Sequence, residues 1–500
     1  MFMKELLQSI TGELSLIYFV RQFLTLFVLL VLGYTVNCIV PSDKDDESTP
    51  ILRVILAFPV GLSIFTVCGL ALLIFNIDYN IVNIIFTVLL FLLVVIAVNR
   101  PNNFQVSKIS LILLGVFVIL ALISTSGIIS IGFSNDSMYY YSAYPHEIVR
   151  NGHLWHKFDI FLTDVGQGTA VINTLPFLFG FNESFGIHNF FNISFICFFF
   201  YAVYEQGAPL LEKKKALVIS LISTGFLITS MPFVLISKWV IANVYFMETL
   251  FICLYLNYKL KNKENRFIAI RSLLLLMLSF IRIEGALFAG LIILVYIMQE
   301  NYRIRDVVFE TVPVIFLQTM YFIRIFFLID EIFAPYTFMN KGKAVVAVLF
   351  NVAVLIYGIL YLHIKGRLKR ILSPVYVTFI MLILINAGLF IYDHNLFISN
   401  AKTLILNLLL NSGWGYFAAV VFVMILLIPK INIGDNYFDY FWIGFFLVSF
   451  AACFARGDDL RVDLYDSGNR VLLQIVPFVV YAFTIRFIKA SYILCRKEQR

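Results

Sequence analysis

The sequence predicts an all-α fold: a polytopic transmembrane helical bundle of about 13–15 spans with an outer amphipathic surface helix. Three observations predict it. Apolar residues fill 61% of the 500 positions and charged residues 13%, and the mean hydropathy is +0.92. A soluble domain carries nearer a quarter charged residues, so this chain lacks the polar surface to coat a globule of its size. Apolar stretches long enough to cross ~30 Å of hydrocarbon recur from end to end. They are continuous, whereas the strands of a membrane β-barrel alternate over about ten residues.

The candidate spans, in order, are 16–40, 51–75, 81–98, 109–131, 187–204, 216–236, 240–258, 267–281, 285–298, 307–329, 344–364, 372–392, 404–428, 438–455 and 471–488. Their connections carry basic clusters: Lys213 to Lys215; Lys259, Lys261, Lys263 and Arg266; Arg303 and Arg305; Lys365, Arg367, Lys369 and Arg370; and the tail with Arg496, Lys497 and Arg500. Basic loops face the cytoplasm. All of these clusters fall on that side if the run from Arg266 to Arg303 crosses twice. Arg282, Glu284 and Gly285 interrupt its middle, which predicts a hairpin of two short helices with an outer turn. The alternative is one long helix with a buried Arg282–Glu284 pair, at a cost of several kcal/mol.

The outer segments are then 132–186, the turn near Lys238, the turn at 282–284, 330–343, 393–403 and 456–470. The N-terminus also falls outside and the C-terminus inside. The division expected is an N-terminal transmembrane bundle over 1–108, a core over 109–488 and a basic cytoplasmic tail over 489–500. No cleavable signal peptide, soluble domain, low-complexity tract or internal repeat stands out.

The net charge of +7 is explained by these topogenic loops, and no nucleic-acid partner is expected. Of the six cysteines, five lie in apolar runs and Cys495 in the basic tail, with no CxxC spacing. Neither a disulfide framework nor a zinc site is expected.

The outer segment 132–186 is too apolar for a free loop and too punctuated for a span. Met138, Tyr141, Tyr144, Ile148 and Val149 recur at helical spacing, predicting a surface helix over 137–150 that Gly152 stops. Asp136 opens it. Asp there is a natural N-cap, and at a water boundary it is equally placed to take a proton from an acceptor hydroxyl. His146, Glu147, His153, His156, Asp159 and Asp164 crowd the same segment. Their spacing matches no ligand motif, so no metal or cofactor is expected, a divalent ion being the alternative. The glycines of Thr163-Asp-Val-Gly-Gln-Gly168 would let backbone approach a phosphate or sugar, and Asp164 would hold a hydroxyl; a plain loop turn reads equally well. Lys238, Trp239 and Trp414 sit at predicted outer boundaries, where interface anchoring accounts for them. The charges from Arg456 to Arg470 read as a self-paired, solvated loop. Within the spans, Glu248 and Arg324 are the main ionisable exceptions.

The stretch Asp136-Ser-Met-Tyr-Tyr-Tyr-Ser-Ala-Tyr-Pro-His-Glu-Ile-Val-Arg-Asn-Gly-His-Leu154 resembles a segment in an early outer loop of bacterial GT-C glycosyltransferases, where an acidic residue after a span opens an aromatic surface helix. Asp136, Tyr140, Pro145 and Gly152 carry the match. Ser279-Phe-Ile-Arg282-Ile-Glu284-Gly285 resembles a basic turn between later spans of these enzymes. Asp466-Ser-Gly-Asn-Arg470-Val-Leu-Leu-Gln-Ile-Val-Pro477 resembles their last outer loop. The resemblance covers about residues 109–488, and the spans before it depart from the simplest layout of the family.

The resemblance implies transfer of a sugar from a polyprenyl-phosphate carrier to a cell-envelope glycan outside the membrane. It casts Asp136 as catalytic base and Arg282 and Arg470 as partners of the lipid phosphate. Glu284, Asp164, His146 and Lys238, polar residues of the same outer segments, are the further candidate substrate contacts. Paired guanidinium donors suit an anionic phosphate. Internal pairing of Arg282 with Glu284, or of Arg470 with Asp466, is the structural alternative. The competing functions are a polymerase or ligase of lipid-linked polysaccharide and a non-enzymatic transporter or flippase of lipid-linked sugars. A transporter keeps ionisable groups near the bilayer centre and often repeats its halves; here the span interiors are nearly free of charge.

Overall fold

A computed structural model describes residues 16–39, 48–81, 85–88, 95, 108–125, 143–152, 167–179, 185–259, 268–282, 284–298, 302–328, 340–410, 414, 417–427, 437–455, 460–462 and 467–498. Among these the architecture is helical. In chain order the helices are α1 (Leu16–Ile39), α2 (Ser48–Ile55), α3 (Ala57–Ile74), α4 (Lys108–Thr125), α5 (Tyr144–Asn151), α6 (Gln167–Thr174), α7 (Phe185–Gly207), α8 (Lys213–Thr229), α9 (Met231–Ser237) and α10 (Ala242–Lys259). There follow α11 (Ile268–Ile281), α12 (Gly285–Tyr296), α13 (Ile304–Ile323), α14 (Lys341–His363), α15 (Arg367–Ile371), α16 (Pro374–Tyr392), α17 (His394–Leu410), α18 (Phe417–Leu427), α19 (Tyr437–Ala455), α20 (Ser467–Leu473) and α21 (Val476–Glu498).

Among the described residues eight helices are long and apolar enough to cross a membrane, or nine if α8 and α9, bent by 65° at their junction, form one span. Shorter apolar helices, including those of α10, α11, α12 and α19, account for further runs. The expected span 81–98 lies largely outside the described residues. The chain is a multi-pass membrane protein. Its helix α16 makes the physical case: only 6% of its apolar stretch is buried, and Ile391 and Tyr392 are more than four-fifths exposed. Water does not tolerate so continuous an apolar face; lipid does.

The chain falls into two compact units, residues 1–195 with 238–362, and residues 196–237 with 363–500. In the first unit α10 is buried along its described length, from Ala242 to Leu256. A helix apolar on nearly every side belongs at the centre of a bundle. Around it, α11 and α12 form an antiparallel hairpin. The guanidinium of Arg271, near the start of α11, lies 4.6 Å from the ring centre of Tyr296, at the end of α12. The expected pair of short helices is therefore what forms, and the single long helix is excluded. α13 runs beside α11 in the same direction, since Gln318 donates to the Ser279 carbonyl (2.7 Å) and Phe280 packs edge-on against Tyr321 (5.6 Å).

In the second unit α8 is tied to α21 by the Thr484 hydroxyl on Ser223 (3.0 Å), and Phe441 of α19 packs on Phe478 (5.1 Å). The segment 393–403, expected as an outer segment, holds the first part of α17. The Asp393 carboxylate accepts from the Leu396 amide (3.0 Å), an N-cap that starts this helix. Trp414, expected as an interface anchor, is 1% exposed and packs against Phe417 (5.9 Å). Its ring is core here, because an indole hides more apolar area than any other side chain.

Candidate functional site

The site is built at one end of the α11–α12 hairpin in the first unit. α11 stops at Ile281 and α12 begins at Gly285, so its last carbonyls have no helical partners of their own. Side chains satisfy them. Thr169 of α6 donates to the Ile281 carbonyl (3.1 Å), and Gln318 of α13 caps the Ser279 carbonyl. Gly168 makes the first contact possible: a Cβ there would lie 2.9 Å from the Phe280 carbonyl carbon. The role expected of Gly168, admitting a ligand phosphate, is thus taken by α11, whose backbone occupies the space its missing side chain leaves. Residues 163–166, with Asp164, lie outside the described residues.

Arg282 leaves this end of α11 into the turn. Its Nε donates to the Glu284 carboxylate (2.5 Å) and its Nη1 to the Asn243 side-chain oxygen at the head of α10 (2.6 Å). The two side chains are 21% and 19% exposed. They lie at a boundary, partly wet, where an Arg–carboxylate pair keeps much of its strength. The internal pairing weighed as the structural alternative for Arg282 is present, and Asn243 is a partner that sequence reading missed. An Asn at the start of an apolar run reads as a cap; only the approach of α11 to α10 shows its use.

The flanks of the long loop return to this corner. Gln167, which starts α6, is hydrogen bonded to Tyr321 of α13. Tyr144, fully buried at the start of α5, lies near Tyr321, and burial pushes its hydroxyl well above the usual tyrosine range. Gly152 ends α5 at φ +73°, and its carbonyl accepts from the Tyr79 amide (2.7 Å). The Tyr79 hydroxyl donates to the Thr174 carbonyl at the end of α6 (2.8 Å). The segment near Tyr79 therefore clamps α5 and α6 together.

Asp136 lies outside the described residues, as do His153, His156, Asp159 and the first part of the expected surface helix; the observed α5 covers its second half. His146, on α5, sets its ring edge-on to Phe177 (4.8 Å) and is half-buried. Lys238 is exposed at the break between α9 and α10. Arg470 belongs to the second unit, on α20, and is partly exposed. That corner is ordered by asparagines of α17: Asn400 accepts from the Leu460 amide (2.9 Å) and Asn407 donates to the Arg461 carbonyl (3.1 Å). Asp458, Asp459, Asp463 and Asp466 lie outside the described residues. Among the described residues no group of three or more His, Cys, Asp or Glu side chains is placed to hold a metal ion.

Sequence reading also missed Arg271 and Glu310. Both are 0% exposed, joined by Nε–Oε1 and Nη2–Oε1 contacts of 2.8 Å each. Tyr302 donates to the same carboxylate, and the guanidinium sits against the rings of Tyr296 and Tyr302. Each residue lies close to a basic loop in the chain, so each reads as an ordinary helix-end charge.

No known family, curated protein or solved structure matches this chain.

Proposed function

We propose that the chain is a GT-C-type, inverting glycosyltransferase. It moves a sugar from a polyprenyl-phosphate carrier to an extracytoplasmic cell-envelope glycan. The observation that carries this reading is the convergence on one corner of the first unit. The helices flanking the punctuated part of the long loop, α5 and α6, return to α13 and to the end of α11 that carries Arg282. By the distribution of basic loops that end faces outward.

In this reading Asp136 removes the proton from an acceptor hydroxyl as its oxygen attacks the anomeric carbon. The bond from that carbon to the phosphate oxygen breaks, and the phosphate leaves with the electron pair. Arg282, held by Glu284 and Asn243, presents a fixed positive charge to the phosphate as its charge grows, which favours the transition state over the ground state. Arg470, a phosphate partner by resemblance, belongs to the second unit; Asp164, His146 and Lys238 are further candidate substrate contacts. No metal is invoked. The partners are the lipid-linked donor, the glycan acceptor and the surrounding lipid.

The test is surface glycan composition in cells carrying Asp136→Asn or Arg282→Ala, each shown to be inserted at parental levels. Loss of a general base lowers transfer by about 10²–10⁴-fold, and loss of a charged stabiliser by about 10²-fold or more. Full transfer by Asp136→Asn would sink the base assignment. A flippase for lipid-linked sugars is the second reading. The carboxyl of Glu248, wholly buried in the first unit, favours it, since ion-coupled carriers keep such groups inside the bundle.

A further inference from the structure

The most enclosed helix of the first unit holds a carboxylic acid. Glu248 of α10 is 0% exposed, and neither of its oxygens has a hydrogen-bond partner among the described residues. The same is true of the Tyr245 hydroxyl and the Thr249 hydroxyl. Tyr245 stands three residues from Glu248 and four from Thr249, so one turn of α10 presents all three on neighbouring positions. The Tyr245 hydroxyl is also close enough to Glu248 to feel its charge.

Aromatic rings wall this layer. His188 of α7 meets Tyr245 edge-on at 5.8 Å, and Phe191 tilts against it at 5.2 Å. One turn further along, Phe195 packs edge-on against Phe251 at 5.6 Å. Between them on α7, Asn192 donates to the His188 carbonyl (3.1 Å).

The titratable and charged groups of the neighbouring helices are committed elsewhere. On α11, Arg271 binds Glu310 and Arg282 binds Glu284 and Asn243; on α12, Tyr296 donates to the Cys253 carbonyl (2.7 Å). His188 is the titratable group that α7 brings to the layer. Four oxygens thus share one turn without a donor or a counter-charge in place. Burying an ionised carboxylate alone is strongly unfavourable, and each buried, unmade hydroxyl bond adds to the cost.

We propose that Glu248, with Tyr245 and Thr249, forms a binding site for a small monovalent cation inside the bundle. The cation neutralises the carboxyl and is held by oxygen. A proton and a sodium ion share this chemistry, and experiment separates them. The site stands apart from the transferase reading, because it lies five residues along α10 from Asn243, a rise of about 7–8 Å from the Arg282 corner.

The measurement is the melting temperature of the purified full-length protein in detergent, titrated with pH and with sodium against choline at constant ionic strength. Binding to the folded state alone makes melting depend on the ligand. The parent is expected to show a sodium-dependent shift, or a part of its pH-dependent shift, that Glu248→Gln lacks. Tyr245→Phe, which keeps the ring, weakens the apparent affinity about threefold to tenfold, the worth of one buried ligand bond. Dicyclohexylcarbodiimide, which attacks protonated carboxyls in apolar surroundings, names the source. Labelling of Glu248 that sodium suppresses at fixed pH assigns a sodium ion. Labelling that falls with rising pH and ignores sodium assigns a proton. The inference is overturned if Glu248→Gln, or Tyr245→Phe should the first not fold, melts with the parent's dependence on pH and sodium.

Discussion

Replacing Glu310 by Gln tests whether the buried Arg271–Glu310 pair holds the first unit together. Both side chains are fully enclosed between α11 and α13, and Arg271 meets one carboxylate oxygen through two nitrogens at 2.8 Å. Glu310→Gln keeps the shape and removes the charge. It leaves a guanidinium in an apolar interior against the Tyr296 and Tyr302 rings. Breaking one partner of a buried pair costs about 3–5 kcal/mol. The rings return part of this, about 2 kcal/mol for a desolvated cation over an aromatic face. The net expectation is a loss of about 1–3 kcal/mol. The double replacement Arg271→Met with Glu310→Leu removes both charges and fills similar volume, so it loses less than either single change. Reversible unfolding in mixed micelles, read as a double-mutant cycle, gives the coupling. A coupling below about 0.5 kcal/mol, the scatter expected of independent sites, would refute the argument. So would a double variant less stable than the sum of the singles.

Four further outcomes follow from the geometry. Gly168→Leu drives a side chain into the Phe280 carbonyl and lowers stability by about 1–3 kcal/mol, read as a lower melting temperature than the parent's. Gly152→Ala costs about 1–2 kcal/mol, from the left-handed backbone and from a Cβ that would sit 2.3 Å from the Asp78 carboxylate; equal melting of parent and variant would contradict this. A cysteine at 283 in the intact cell reacts with an impermeant maleimide added outside, if the hairpin turn faces outward. Burial raises the Tyr144 hydroxyl above its ordinary value of 10.0, so above that pH the unfolded chain releases a proton that the folded chain keeps. Stability from this group is full below about pH 10 and falls above it. Tyr144→Phe flattens the alkaline limb of a melting curve measured against pH.

The helical, multi-pass character was legible in the chain because hydrophobicity over a window is a local property. The hairpin at 282–284 was legible for the same reason: two charges and a glycine interrupt an apolar run, and a turn relieves their burial. Legibility failed where a local signal had two meanings. Trp414 looked like an interface anchor and is core. Gly168 looked like a place for a ligand and is a place for α11.

By itself the sequence determined that this protein lives in a membrane, and that Arg282 stands at a turn. Those follow from composition and nearest neighbours along the chain. Only the tertiary structure decided what Arg282 touches, that Arg271 finds Glu310 across 39 residues, and that Glu248 stands on a turn of unpartnered oxygens. The reason is physical. A polar side chain in an apolar helix has its meaning set by what the neighbouring helix brings opposite it, and that partner is fixed by packing, not by sequence distance.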